Sequence, residues 1–241
     1  MDFRKIPNVT LECVIFGLHD SGLKILLSRR KLDLDKNKDF NFDDWVITGD
    51  HLQKSENLTE AAKRIIGDYI PLNHVYFEQF NTFGNPDRVK EEKDLTWLKK
   101  LDVSPRLLSV GFISLVKAQT LRPKKDNIDW FSIHELPELG FDHEKIIKNA
   151  YESLQKKVLI EPLIFELLPV KFTLNELQLG FEAILNIKLD NRNFRKKVLK
   201  MKYIVQLDEK RKGASKKPAN LYIFSRDIYD RIVEKHQLFF F

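Results

Sequence analysis

Short apolar segments separated by polar turns fill the first half of the chain, which is the pattern of a buried sheet. Residues 8–17 and 22–29 are predicted as two strands around the turn sequence His19-Asp20-Ser21-Gly22. Residues 45–48 form another short strand. Three further strands are predicted, at residues 75–82, 107–116 and 130–133.

Two stretches of the same region have apolar residues at every third or fourth position, the spacing of one helix face. The first follows Asn57, a suitable N-cap residue with Glu60 three positions on. The second covers residues 143–157. Strands interspersed with two helices predict an α/β fold in which a mixed sheet is covered by helices.

The pattern changes in the last third of the chain. Three helices are predicted there, at residues 162–168, 173–184 and 191–201. Thr173 with Glu176 has the sequence of a capping box, and Asp190 is suited to cap the third helix. Three apolar residues of that helix are expected to face inward, namely Phe194, Val198 and Met201. A hairpin of residues 203–207 and 220–224 follows, so we predict a winged helix-turn-helix domain over residues 158–241, behind a first domain of residues 1–157.

The net positive charge is concentrated in the second domain. The 241 residues carry 41 Lys and Arg against 35 Asp and Glu, a net charge of +6. Residues 151–241 hold 18 basic and 11 acidic residues, which leaves 23 and 24 for the rest. Residues 191–217 contain 11 basic and 2 acidic residues, an excess that would attract a polyanion such as nucleic acid. A solvated charged surface is the alternative interpretation.

Composition argues against several classes of protein. The most apolar run, residues 159–170, is interrupted by Glu161 and Glu166, so we predict no membrane span. The N-terminus lacks the apolar segment of a signal peptide. The single cysteine, Cys13, lies in an apolar run and has no partner for an internal disulfide, so we expect a buried thiol in a cytoplasmic protein.

Residues 49–72, GDHLQKSENLTEAAKRIIGDYIPL, resemble the box of Nudix hydrolases, G-x5-E-x7-R-E-U-x-E-E-x-G-U with U aliphatic. The register puts the first glycine at Asp50, the first glutamate at Glu56 and the arginine at Arg64. In the hydrolases, the later glutamates hold divalent cations over a pyrophosphate. Those three positions are occupied here by Ile65, Asp68 and Tyr69. One carboxylate in place of three predicts a domain without a catalytic residue or a metal site.

Without a metal, we expect Glu56 and Arg64 to form a salt bridge that ties the box loop to its helix. Two other segments are similar to Nudix proteins: Trp45-Val46-Ile47-Thr48-Gly49 before the box, and Phe83-Gly84-Asn85-Pro86-Asp87-Arg88 after it, the latter as in ADP-ribose pyrophosphatases. The resemblance implies an effector site that includes Arg29, Arg30, Asp68 and Arg88. For Arg88, a surface turn residue is the alternative.

With its C-terminal part included, the chain resembles the Nudix-related transcriptional regulators, which join a Nudix domain to a winged helix. The resemblance is most specific in four segments: Phe141-Asp142-His143; Glu161-Pro162 with Leu167-Leu168-Pro169; Phe172-Thr173-Leu174 with Leu177-Gln178; and residues 189–197, LDNRNFRKK. It implies a Nudix α/β/α sandwich with a mixed sheet, followed by a winged helix-turn-helix. It also implies a homodimeric repressor that binds a double-stranded DNA operator and a small-molecule effector, without a cofactor.

The resemblance also suggests how DNA would be bound, with the helix of residues 191–201 in a major groove. Expected near base edges are Asn191, Arg192 and Arg195. Expected at phosphates are Lys196, Lys197 and Lys200. The wing is expected to contact the DNA backbone or the minor groove through Arg211, Lys212, Lys216 and Lys217. The helix before residue 191 is expected to add phosphate contacts through Asn175 and Gln178.

Three questions stay open at this point. One branch of the Nudix-related transcriptional regulators responds to ADP-ribose and another to sugars such as L-arabinose. The loss of most box carboxylates in this chain favours a sugar or a sugar-derived effector. A Nudix hydrolase that uses Glu91 and Glu92 in place of the missing box residues is the main alternative function. A protein-interaction module is the third possible function.

The inserts at residues 32–43 and 90–105 are expected to border the effector cleft.

Overall fold

The computed structural model describes residues 5–19, 22–32, 42–72, 75–117, 127–211 and 218–237. The chain divides into two compact units, Met1–Glu161 and Pro162–Phe241. The sequence placed the boundary slightly earlier, after Lys157, whereas the turn after that residue belongs to the first unit. None of the described helices is long and apolar enough to cross a membrane.

The first unit is built on a seven-stranded mixed sheet. Its strands are β1 (Lys5–His19), β2 (Gly22–Leu32), β3 (Phe42–Val46), β4 (Thr48–Gln53), β5 (Tyr76–Phe83), β6 (Leu108–Val116) and β7 (Ile128–Ser132). The order is β3-β2-β1-β6-β5, with β4 also paired to β1 and β7 to β2. Among the strands that the structure describes, β1 and β6 are the one parallel pair. Strand β1 lies at the centre, between β6 on one side and β2 and β4 on the other.

Both faces of this sheet are covered. Helix α1 (Leu58–Tyr69) packs against Leu11, Cys13 and Ile15 of β1, and helix α3 (His143–Lys157) packs against β5 and β6. Val14 and Phe16, which alternation directs to the other face, are also fully buried. The mixed α/β architecture predicted from the sequence is confirmed, and Cys13 is a buried free thiol as expected.

Two elements of the first unit were not predicted. Strand β4 follows β3 after the single residue Ile47 and contains the first residues of the box, so the segment 45–48 is the junction of two strands. Helix α2 (Glu92–Lys100) lies within the charged insert of residues 90–105. Its N-cap residue, Glu91, makes no side-chain capping bond, which left no helix-start signal in the sequence.

The second unit contains three helices, a hairpin and a terminal helix. These are α4 (Ile164–Leu167), α5 (Leu174–Leu185), α6 (Asn191–Val198), β8 (Ile204–Arg211), β9 (Ala219–Phe224) and α7 (Arg226–Gln237). The capping box of Thr173 and Glu176 is confirmed, and the Asp190 side chain accepts a bond of 2.8 Å from Asn193 N. Helix α6 ends before Met201, whose 37% exposure shows that its predicted inward position was wrong. Helix α7 was not predicted.

Candidate functional site

The box loop is held by its arginine. Arg64 donates to Glu56 through Nε at 2.9 Å and Nη2 at 2.7 Å, to Asp50 Oδ2 at 2.7 Å and to the His51 carbonyl at 3.0 Å. Hydrogen bonding from Arg64 lowers the pKa of the Glu56 carboxyl below its ordinary value. The predicted Glu56–Arg64 salt bridge is confirmed, and Asp50 joins it.

The carboxylates of the box do not fit a divalent cation. Asp50 and Glu56 are turned toward the Arg64 guanidinium, and Asp68 is an exposed residue of α1. Among the described residues, no group of three or more His, Cys, Asp or Glu side chains is placed to hold a metal ion. Because Mg²⁺ sites use several oxygens, this arrangement stabilises the loop and offers no metal-activated water.

A cavity of 270 Å³ opens beside the box loop, entirely within the first unit. One part of its wall is apolar and comes largely from α2 and the loop after it. These residues include Val89, Trp97, Leu98, Leu101, Val103, Leu107 and Phe141. The other part is polar and includes Thr10, Glu12, Arg30, Asp50, Arg88, Ser109 and His143. The insert of residues 90–105 borders the cavity as expected, whereas most of residues 32–43 lie outside the described residues.

Glu12 is a buried carboxylate on the central strand. Its Oε1 accepts bonds from Thr10 Oγ1 at 3.3 Å and Ser109 Oγ at 3.4 Å, and those two hydroxyls lie 2.6 Å apart. Burial raises the pKa of Glu12 to about 7, although the nearby Arg88 opposes that rise. Gly49 lies against the carboxylate, since a Cβ there would overlap Glu12 Oε2. The glycine of the box segment is therefore needed to leave room for Glu12.

His143, the first residue of α3, lines the cavity next to Glu12. Its Nδ1 accepts the Ile47 backbone N–H at 3.0 Å, and its Nε2 is 3.7 Å from Glu12 Oε2. Burial, helped by Arg88 and Arg30, lowers the pKa of His143 to about 3. The ring is therefore neutral near pH 7, and because Nδ1 is an acceptor, its proton is on Nε2.

Two of the four predicted effector residues line the cavity. Arg88 is 4% exposed and is paired with Asp142 at 2.7 Å. Arg30 is 1% exposed and contacts both Asp44 and Asp94, with its guanidinium 5.0 Å from the Trp97 ring and 4.7 Å from the Phe141 ring. The other two lie elsewhere. Arg29 pairs with Asp43 at the surface, and neither Arg29 nor Asp68 is among the lining residues.

Glu12, Trp97 and the chemical role of His143 were not predicted from the sequence. Glu12 had a recognisable signal, because it is a lone acidic residue inside the apolar segment of residues 8–17. Such a residue needs a reason for its burial. His143 was noted only as part of the segment Phe141-Asp142-His143. Glu91 and Glu92, the suggested replacement carboxylates, are exposed and do not line the cavity.

The second unit presents a cationic surface on α6. Phe194 packs against Phe181 of α5 with ring centroids 6.1 Å apart, and Val198 is buried, so the opposite side of α6 faces outward. All six predicted contact residues at this position are exposed: Asn191, Arg192, Arg195, Lys196, Lys197 and Lys200. Asn175 of α5 is exposed as well.

Gln178 differs from its predicted role as a phosphate contact. The residue is 8% exposed, and its Nε2 donates to Glu182 Oε1 and to the Leu189 carbonyl, both at 3.0 Å. Glu182 in turn accepts from Leu189 N at 2.9 Å. Gln178 therefore supports the turn between α5 and α6 from inside the domain. In the wing, Arg211 pairs with Glu176 and donates to the Lys171 carbonyl at 2.7 Å, while Lys212, Lys216 and Lys217 lie outside the described residues.

The chain is similar in architecture to proteins of known structure. The chain superposes over 91% of its length on the crystal structure of Shewanella oneidensis NrtR, covering 95% of that chain at a TM-score of 0.68 and 26% identity. Residues 164–224 match the family model described as the NrtR DNA-binding winged helix domain. The chain is therefore similar to NrtR proteins in both of its units.

Two further comparisons agree with this similarity. The ADPR responsive transcriptional repressor NtrR of Acinetobacter baylyi is 27% identical over 228 residues, which cover 93% of this chain and 84% of the relative. The structure of Shewanella oneidensis NrtR complexed with a 27mer DNA has a TM-score of 0.67 and 26% identity, with 91% of this chain and 94% of that one covered. The predicted order of a Nudix domain and a winged helix domain is thus confirmed.

Proposed function

We propose that this protein is a transcriptional repressor that binds DNA through its winged helix domain and an effector through a Nudix domain without hydrolase activity. The exposed row of cationic residues on α6 is the observation that carries the proposal. It lies in the segment matched to a DNA-binding family model, on the side of the helix opposite its packed residues. The homodimer expected from the resemblance remains a prediction.

The exposed side of α6 has the chemistry that a major groove requires. Arginine and asparagine can form paired hydrogen bonds with guanine and adenine, whereas lysines bind phosphates as point charges. We therefore assign base contacts to Asn191, Arg192 and Arg195. Phosphate contacts are assigned to Lys196, Lys197 and Lys200. Arg211 and Asn175 would add contacts to the DNA backbone. Gln178 does not belong to this set, because its amide forms hydrogen bonds within the domain.

Replacing Arg195 by alanine should weaken DNA binding by about 1 to 3 kcal/mol, roughly 5- to 150-fold, because a base contact is lost. Replacing Lys197 should weaken binding to all sequences and reduce the dependence of log K on log salt by about 0.9. The probe is a duplex selected by the wild-type protein from a randomised pool, followed by fluorescence anisotropy. Lys148→Ala, an exposed charge change in the first unit, is the matched control. Equal affinity of wild type and Arg195→Ala would remove Arg195 from the interface.

The effector is proposed to be ADP-ribose or a sugar that binds in the 270 Å³ cavity. The name of the Acinetobacter baylyi relative supports ADP-ribose, since it describes that protein as ADPR responsive. The eroded box supports a sugar. Anisotropy titrations of the selected duplex in the presence of ADP-ribose or of L-arabinose distinguish the two. The effector is the compound that changes the affinity of the protein for DNA, since the binding of an effector and the binding of DNA are coupled reciprocally.

We expect no turnover when the protein is incubated with ADP-ribose and Mg²⁺. The box carboxylates Asp50 and Glu56 are engaged by Arg64, so three anionic ligands are not available for catalytic metal ions. Product formation is followed by chromatography of AMP and ribose 5-phosphate. Glu56→Gln is measured in parallel. Metal-dependent AMP release by the wild type that disappears in this variant would identify a hydrolase and contradict the proposal.

A further inference from the structure

We propose that Glu12 and His143 form a hydroxyl-binding subsite in the cavity wall, in which one alcohol group of the effector accepts a bond from His143 Nε2 and donates one to Glu12 Oε2. The inference rests on the proposed function, because it names the chemistry by which the same cavity recognises its effector. Both side chains are nearly enclosed, with exposures of 11% for Glu12 and 6% for His143, and both line the cavity.

The donor half of the subsite is fixed by the backbone. Ile47 N–H donates to His143 Nδ1 at 3.0 Å, and this bond requires Nδ1 to be unprotonated. The single proton of the neutral ring is therefore on Nε2, on the side of Glu12. Ile47 lies between β3 and β4, so the sheet itself orients the imidazole. The low pKa of His143, about 3, keeps the ring in this neutral form at physiological pH.

The acceptor half is the second carboxylate oxygen of Glu12. Oε1 is used by Thr10 and Ser109, whereas Oε2 receives no hydrogen bond from the described part of the chain. The 3.7 Å between Oε2 and His143 Nε2 is longer than a direct hydrogen bond. Gly49 leaves the room that Oε2 itself occupies, because a Cβ at that position would overlap it.

The pair selects one type of ligand group. A hydroxyl can accept from Nε2 and donate to Oε2 at the same time. An ammonium group has no acceptor for the histidine proton. A phosphate diester has no proton to donate to the carboxylate. Sugar hydroxyls are the groups that meet both demands, and the aromatic rings of Trp97 and Phe141 supply apolar surface within the same cavity.

The test uses two substitutions that remove one partner each in the full-length protein. His143→Asn keeps an acceptor for Ile47 N–H through its amide oxygen but loses the Nε2 donor. Glu12→Met removes the acceptor, while Thr10 and Ser109 still bond each other at 2.6 Å. His134→Asn, at an exposed position, is the matched control. Affinities for ADP-ribose and L-arabinose are measured by isothermal titration calorimetry, with thermal unfolding of each variant recorded alongside.

We expect each substitution to weaken the ligand that binds the wild type by about tenfold or more, with the control unchanged. Folded variants that both stay within about twofold of the wild type would overturn the subsite and leave the proposed function intact. A loss in only one of them would overturn the two-sided hydrogen bond. If neither ligand binds the wild type, the effector proposal and the subsite fail together, whereas DNA binding is judged separately. If His143→Asn does not fold, Glu12→Met decides the question, because methionine keeps most of the side-chain volume and Thr10 and Ser109 still bond each other.

Discussion

Replacing Arg30 by methionine should lower the free energy of unfolding of the first unit by about 3 to 5 kcal/mol, the usual result of breaking a buried ion pair from one side. Arg30 is 1% exposed, and its partners Asp44 and Asp94 are 5% and 1% exposed. Methionine preserves most of the volume but leaves both carboxylates without their main counter-charge. Asp44 keeps Lys93 at 3.5 Å, and Lys93 also acts on Asp94 from farther away. Urea unfolding followed by tryptophan fluorescence measures the loss.

Arg29→Met is the matched control for this prediction. Arg29 is the neighbouring residue of β2, and it also pairs with an aspartate of β3, but Arg29 and Asp43 have exposures of 36% and 50%. Exposed ion pairs contribute little to stability, so a small effect is expected. Similar losses in the two variants would show that burial of the Arg30 cluster (Arg30, Asp44 and Asp94) does not determine how much it contributes to the free energy of unfolding. The triple variant Arg30→Met, Asp44→Asn, Asp94→Asn should recover part of the lost stability.

The Arg30 cluster also explains how the unpredicted helix α2 is held over the cavity. Asp94 belongs to α2, and besides Arg30 it binds the backbone N–H of Phe141 at 2.9 Å. Trp97, one turn further along α2, lies against the Arg30 guanidinium. Arg30 is therefore engaged by protein groups, and its expected contribution to effector binding is the placement of the apolar wall.

Local signals in the sequence were enough to predict most of the fold. Helix α3 has the predicted bounds, and the caps at Asn57 and Thr173 have their predicted bonds, because periodicity and capping involve residues a few positions apart. Failures occurred where a partner is distant in the chain. Asp94 is buried where Arg30 of β2 and the Phe141 backbone N–H bind its carboxylate, and nothing near Asp94 in the sequence indicates these partners.

The same reason limits what the sequence could show about the sites. Arg29 and Arg30 are adjacent and chemically alike, yet alternation along β2 puts one at the surface and the other in the cavity wall. Gln178 has the residue type of a phosphate contact, but its position on α5 directs it toward the Leu189 carbonyl. In contrast, the charge of α6 needed no tertiary information, since exposure is the ordinary state of lysine and arginine.

Replacing Glu12 by glutamine should make the first unit more stable at pH 8 and leave it nearly unchanged at pH 4.5. Burial raises the pKa of Glu12 from 4.5 to about 7 in the folded protein, so the folded state holds this proton more tightly than the unfolded state. The stability that follows is present below pH 4.5 and is lost as the pH rises through 7. At about 1.4 kcal/mol per pKa unit, the difference between 4.5 and 7 corresponds to a loss of roughly 3 kcal/mol in the free energy of unfolding. The glutamine variant does not ionise and therefore does not show this loss.

The measurement is the difference in free energy of unfolding between wild type and Glu12→Gln from pH 4.5 to pH 8. His143 also titrates on unfolding, because its folded pKa is about 3, but it destabilises both proteins equally as the pH falls below 6.5 and cancels in the difference. Charges that face Glu12 from neighbouring elements, Arg88 and Asp142, are present in both proteins as well. Glu56→Gln is the control of opposite sign, since Arg64 lowers the pKa of Glu56 and its contribution is present at high pH. A difference for Glu12→Gln that does not change with pH would mean that Glu12 is solvated well enough to ionise as it does in the unfolded chain.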